Sequence, residues 1–181
     1  MSYPKSLGIG AADSFNPTAD INMQRLFDGI SAATTQEPSG TGVANSMQIE
    51  FGPAFGSVSD PVSMDANGTV TINKSGTYRI KVALQFGRIG SAGVSLLLFS
   101  VRVDGAQAGR SIASKISNAN EEQYFENDTW LTVPSGVVLQ FDLMRDASGN
   151  DSGGLFSITP SPEAGSWNDA PTAAIRVERW V

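Results

Sequence analysis

The stretch GTVTINKSGTYRIKVALQFG, residues 68–87, decides the fold. From Val70 the apolar side chains fall on every second residue: Val70 and Ile72, then Tyr78, Ile80, Val82, Leu84 and Phe86. Thr71, Asn73, Thr77, Arg79, Lys81, Ala83 and Gln85 stand between them. A period of two sends alternate side chains to opposite faces of a pleated strand, so the pattern predicts an antiparallel hairpin with one buried face. Lys74-Ser75-Gly76 supplies the turn, and Gly76 is free to take a positive φ there.

The same period runs outward on both sides. Met47, Ile49 and Phe51 alternate with Gln48 and Glu50 until Pro53 stops that strand. Val62 and Met64 form a short piece before the turn at residues 65–68, DANG. In residues 94–103, VSLLLFSVRV, one face is Leu97, Phe99, Val101 and Val103, while Leu96 and Leu98 make the opposite face apolar too. A strand apolar on both sides is covered on both sides. Asp104-Gly105 is a tight turn, and residues 106–117 predict an edge strand. Residues 124–133, 137–143, 155–158 and 173–177 complete the series, with turns at Pro134-Ser135-Gly136 and in the polar loop 146–154. Eight to ten short strands with turns at this spacing predict an all-β, antiparallel jelly-roll β-sandwich.

Residues 1–45 differ. Asn16-Pro17 resembles a helix start, and Met23, Leu26, Phe27 and Ile30 follow at i, i+3, i+4, i+7. This spacing predicts a short helix within an N-terminal arm. Its apolar stripe rests either on the chain's own β domain or on a neighbouring subunit or another protein, since a helix this short is marginal alone. Residues 34–45, TTQEPSGTGVAN, are a polar linker, which sets the expected division into an arm (1–45) and a jelly-roll domain (46–181).

Composition narrows the chemistry. Among 181 residues there is no cysteine and no histidine, so neither thiolate nor imidazole is available as nucleophile, base or metal ligand. A net charge of −6 argues against nucleic acid or an anionic membrane as partner. No apolar run approaches the ~20 residues of a membrane span. The opening MSYPKSLGIGAAD lacks the pattern of a secretory signal, which predicts synthesis in the cytoplasm. Gly8-Ile9-Gly10 lacks a preceding strand and the third glycine of a dinucleotide loop, and residues 105–111 lack the lysine of a phosphate loop. Asp146 and Asp151, in the oxygen-rich loop 146–151, are the candidate calcium ligands, although the loop lacks EF-hand spacing and reads foremost as a solvated turn. Trp130, Trp167 and Trp180 are open to two uses: sugar stacking, or core and interface packing. No cofactor is expected, and no pair of carboxylates is singled out for hydrolysis.

The order of four motifs resembles a known family. They are DANGTVTI with SGTYRI (65–72 and 75–80), VRVDG (101–105), LTVPSGVVL (131–139) and AIRV (174–177). Over residues 46–181 they resemble the jelly roll of C1q-type and tumour-necrosis-factor-type trimeric domains, and are similar to versions in phage virion proteins and bacterial surface filaments. Two departures stand out: no Gly-X-Y stalk is present, and the usual Gly-Asp of the third motif is Ser135-Gly136-Val137. The resemblance implies a homotrimer with one sheet facing the threefold axis, and so a trimer interface at Leu96, Leu98 and Trp180. It also implies a non-enzymatic virion protein. The leading expectation is a capsid decoration or cement protein that docks on the major capsid protein, or on another virion protein, through Met23, Leu26, Phe27 and Ile30. The alternative is a receptor-binding or fibre-tip module that touches a host glycan or protein through the loops 87–93, 146–154 and 161–171.

Overall fold

The structure, a computed structural model, describes residues 23–55, 61–90, 93–160 and 168–180. In chain order the strands are β1 Met23–Ile30, β2 Thr35–Gln36, β3 Met47–Gln48, β4 Ala54–Phe55, β5 Val62–Met64, β6 Val70–Ile72 and β7 Gly76–Gly87. They continue with β8 Ser95–Val103, β9 Ala106–Ile116, β10 Glu122–Val133, β11 Val138–Arg145, β12 Gly154–Phe156 and β13 Ala173–Trp180. The first sheet is built on β7. β10 runs along one of its edges for the whole length, from Glu122↔Gly87 to Val133↔Gly76. β13 and then β12 take the other edge, followed by β1 and β4 beside β13, and by β2 beside β12. The second sheet runs β5-β6-β11-β8-β9, with β3 also on β11. All these pairings are antiparallel, and the two sheets pack face to face as a jelly-roll β-sandwich.

The expected alternation is the core. Val70, Ile72, Tyr78, Ile80, Val82, Leu84 and Phe86 are all buried; Tyr78 to Phe86 face the interior from the first sheet, and Val70, Ile72, Leu97, Phe99, Leu139, Phe141 and Leu143 meet them from the second. Ile49 and Phe51 are buried as well, with Phe51 edge-on to Phe141 at 5.4 Å between ring centroids. The connection at residues 73–75 differs from expectation. β6 belongs to the second sheet and β7 to the first, so these residues carry the chain between sheets and close no hairpin. Gly76 is the first residue of β7 and is not at positive φ; a side chain there would meet the Arg179 guanidinium at 3.0 Å. The crossing is held by the Tyr78 hydroxyl, which donates to the carbonyls of Lys74 (2.6 Å) and Pro61 (3.1 Å).

The expected helix over residues 23–30 is the strand β1, inserted between β13 and β4. A bulge between Arg25 and Phe27 explains the mimicry. It resets the two-residue period by one, so Leu26 and Phe27 both turn into the core while Met23 and Ile30 stay on the outer face. One strand with one extra residue therefore reproduces i, i+3, i+4, i+7. Asn16 and Pro17 lie outside the described residues.

The expected linker, residues 34–45, is also built into the sandwich. Gln36 is buried, and its amide pairs with the backbone of Glu50 in both directions: Nε2 donates to the Glu50 carbonyl (2.9 Å) and Oε1 accepts from its N–H (2.7 Å). Nε2 also reaches Thr172 Oγ1 at 2.9 Å. Further on, the Gly42 N–H donates to the Arg145 carbonyl at 2.8 Å, and a single 3₁₀ turn follows at Val43–Asn45.

Because Phe27 is wholly buried on β1, Phe27→Ala is expected to destabilise the fold by about 3–5 kcal/mol, measured by urea denaturation. Wild-type stability in that variant would place residues 23–30 outside the core.

Candidate functional site

The outer face of the first sheet is ordered in rows, because residues directly opposite each other on paired strands share a face. One row is Ile30, Ala174, Ala83 and Glu126, running from β1 through β13 and β7 to β10. The next is Asp28, Arg176, Lys81 and Asp128, and the next Arg25, Glu178, Arg79 and Trp130. Met23 then stands opposite Trp180.

The charges of these two rows pair with one another. Asp28 is buried between Arg176, whose Nε donates at 2.8 Å, and Arg25. Arg79 grips Asp128 through Nε (3.0 Å) and Nη2 (2.6 Å) and reaches Glu178 through Nη1 (3.4 Å). Those bonds hold the Asp128 carboxyl below its usual range, with the charges of Arg79 and Lys81 adding to the effect. They also raise Arg79. A face whose charges are already paired and positioned loses little side-chain freedom when something settles on it.

At one end of this ladder stand two large aromatic groups. Trp130 (48% exposed) and Trp180 (50% exposed) lie with ring centroids 6.3 Å apart, and the Arg79 guanidinium sits 5.4 Å from the Trp130 ring. Tyr124, Ile30 and Phe55 are exposed on the same face, the last opposite Asp28. Below the ladder, Ala83 and Ala174 leave a shallow trough of about 470 Å³ rimmed by Arg25, Lys81 and Arg176. A half-exposed tryptophan pair of this kind is unlike a plain solvated strand face and suits a docking surface.

The other expected site residues fall elsewhere. Leu26 and Phe27 are core, which is the first of the two alternatives for the N-terminal stripe. Leu96 and Leu98 are half-buried on the outer face of the second sheet, Leu98 opposite Met144 and Ala113. Trp180 is on the first sheet, so these three residues do not share the face of one sheet. Asp146 and Asp151 do not converge. Asp146 Oδ1 accepts from the Ser148 N–H (2.8 Å) and hydroxyl, which holds its carboxyl low, while Asp151 pairs with Arg145 at 3.2 Å. No group of three or more potential metal-ligating side chains occurs among the described residues. Trp167 lies outside them.

The ladder of Arg79, Asp128 and Glu178 is not visible in the sequence, because its members are brought together only by the registers of β10 and β13 on β7. The alternation of residues 122–132 does show one polar and aromatic face, Glu122, Tyr124, Glu126, Asp128, Trp130 and Thr132. Burial also acts on Asp142, on the outer face of the second sheet, pushing its carboxyl up against the opposing pull of Arg102.

No protein-family model matches the chain, and no curated protein matches it. Among solved structures it is similar to the globular domain of a zebrafish complement 1qA protein, at 12% identity and a TM-score of 0.48, covering 87% of this chain and 98% of that one. It is also similar to an Eiger TNF from S. frugiperda, at 11% identity and a TM-score of 0.47, covering 89% and 94% of the two chains.

The lowered Asp128 carboxyl sets a pH dependence. Its contribution to stability is complete above the unfolded value of about 3.9 and is lost as the pH falls through the lower folded value. Asp128→Asn is therefore expected to flatten the loss of stability below about pH 4, followed by denaturant unfolding at several pH values. An unchanged slope would remove Asp128 from the ladder.

Proposed function

We propose that the chain is a non-enzymatic structural protein that works as a homotrimer, with the outer face of the first sheet turned toward the threefold axis. The observation that carries this reading is the gathering of Trp130, Trp180, Tyr124, Ile30 and Phe55 on that one face, over a charge ladder that is already paired. Aromatic side chains and arginine are enriched where protein surfaces bury each other. The face carries both a ridge (the two tryptophans) and a trough (Ala83, Ala174), so contacts of ridge with trough between copies join unlike patches. Contacts between unlike patches close into rings when the rotation permits. Of the interface residues expected from the sequence, this reading keeps Trp180 and releases Leu96 and Leu98 to the outside.

The setting we propose is a phage particle, with the protein decorating or cementing the head against the major capsid protein or another virion protein. The all-β sandwich, the chain without histidine or cysteine and the resemblance of its motifs to virion jelly rolls support this setting. With Leu26 and Phe27 in the core, an anchoring role falls to residues 1–22 rather than to the stripe over 23–30. A receptor-binding or fibre-tip module is the second reading, and one observation favours it. In the loop 146–154 the Asn150 N–H donates to the Val94 carbonyl at 2.6 Å, next to Gly93, and Val94 is exposed, as is Ile89.

The mass in solution tests the assembly. Light scattering at micromolar concentration is expected to give three times the 19.0 kDa of one chain. Trp130→Glu with Trp180→Glu is expected to give the single-chain mass with an unchanged circular dichroism spectrum. A monomeric wild type, or a trimer indifferent to both substitutions, would overturn the reading. Deletion of residues 2–22 tests the anchor: trimers are expected to persist while binding to capsids is lost, and retained capsid binding would contradict the anchoring role.

A further inference from the structure

β10 leaves one of its edges open. It pairs with β7 alone, and the backbone of residues 123–133 forms no hydrogen bond on its other side among the described residues. In an antiparallel pair alternate residues point their N–H and C=O away from the partner, so this edge presents a row of free donors and acceptors. The other strands that end a sheet are shorter or interrupted. β2, β4 and β5 span only two or three residues. β9 is broken by a bulge, in which residues 109–111 stand against Ser100 and Gly109 takes a φ of 74°. β10 runs for 12 residues with no bulge, proline, glycine or lysine.

The sandwich is open along the same side. The inward side chains of β7 are fully buried, whereas Phe125, Asn127, Thr129, Leu131 and Val133 on the inner side of β10 are half-buried. Ile112 of β9, opposite Phe99, is 37% exposed. Between the two edges lies a cleft of about 300 Å³, walled by Phe99, Val101, Ile112 and Leu131 together with Asn127 and Thr129. At one end the Gln123 amide ties β10 to β9, accepting from the Ser114 hydroxyl (2.7 Å) and donating to the Lys115 carbonyl (3.0 Å). The open length of the edge is therefore Tyr124 to Val133.

The outer side of β10 is acidic. Asp128 is held by Arg79, but Glu122 and Glu126 form no ion pair among the described residues, and Glu126 accepts from the Tyr124 hydroxyl at 2.9 Å. A second copy fits this edge poorly. Antiparallel self-pairing centred on residues 126–128 sets Glu126 or Asp128 against itself or against the other, and like charges directly opposite destabilise a ladder. Residues 1–22 of the chain carry one cation, Lys5, against Asp13 and Asp20, so they do not complement it either.

We propose that the free edge of β10 takes up an extended basic segment of another protein as an added strand. The backbone of that segment pairs with residues 124–133. Its alternate lysine or arginine side chains stand beside Tyr124, Glu126 and Asp128, and the small apolar side chains between them enter the cleft. In strand addition of this kind main-chain bonding supplies affinity and the alternate side chains supply selectivity. The added strand extends the first sheet sideways in its own plane, so this site does not rest on the trimer reading, which uses the face.

The probe is a capped decapeptide of alternating lysine and valine, titrated at constant ionic strength, with binding read by calorimetry and by amide hydrogen exchange. At a hundredfold excess over Kd, exchange of alternate amides within residues 124–133 is expected to slow about a hundredfold. Methylating the peptide nitrogens of all the lysines, or of all the valines, blocks one edge of the added strand at a time. One of these two forms is therefore expected to lose binding and the other to keep it. Glu126→Lys is expected to weaken binding about fivefold, the effect of reversing one charge about 5 Å from a peptide cation in salt-screened water. No binding, equal binding by a peptide with its lysines and valines in separate blocks, unimpaired binding by both methylated forms, or an unchanged affinity in Glu126→Lys would each overturn the proposal.

Discussion

Hydrogen bonding of β7 along both of its edges is the constraint on which the molecule depends. One edge is taken by β10 over the full length of the strand, the other by β13 and then β12. With both edges satisfied, β7 cannot shift, and Tyr78, Ile80, Val82, Leu84 and Phe86 are committed to the interior. The same lock fixes Thr77, Arg79, Lys81 and Ala83 outward. The outer face is thus the reverse side of the core strand, and its rows are as fixed as the packing beneath them.

The register then decides which chemistry appears on that face. Arg79 lies between Glu178 and Trp130, and Lys81 between Arg176 and Asp128, because β13 and β10 are aligned on β7 in that way. A slip of one residue in β10 would bury Trp130 and expose Leu131, so the pairing that builds the core also selects the aromatics that are shown. Small residues contribute as much as large ones. Gly29 faces the interior, where a side chain would meet Met64 at 2.6 Å and the Phe51 carbonyl at 2.9 Å, and Ala83 and Ala174 leave the trough beside the ladder. The end of the sandwich has a different character, since Arg88 takes the place that an apolar residue would fill in a closed core.

Much of the sandwich is legible in the sequence, since a two-residue period in residues 70–86 and 137–143 reports burial directly. The partners of each strand are not legible. Residues 70–72 and 76–87 look like a hairpin, and only tertiary pairing shows that a three-residue crossing can carry the chain between sheets as readily as turn it back. β1 was hidden by its own bulge, which imitates a helical stripe, and Gln36 was hidden because a buried amide that pairs with backbone looks like any polar residue of a linker. Among the expected site residues, Trp180 lies on the aromatic face, whereas Leu96 and Leu98 belong to the other sheet; apolar alternation shows that a strand has two covered sides, not what covers each.

The position of β1 is central, because without it the rows of the outer face end at β13 and neither Asp28 nor Ile30 belongs to them. Amide hydrogen exchange resolved over residues 26–30 tests this most directly. Protection close to that of β13 is the predicted result. Exchange there at the rate of an unstructured chain, with β13 still protected, would contradict the account.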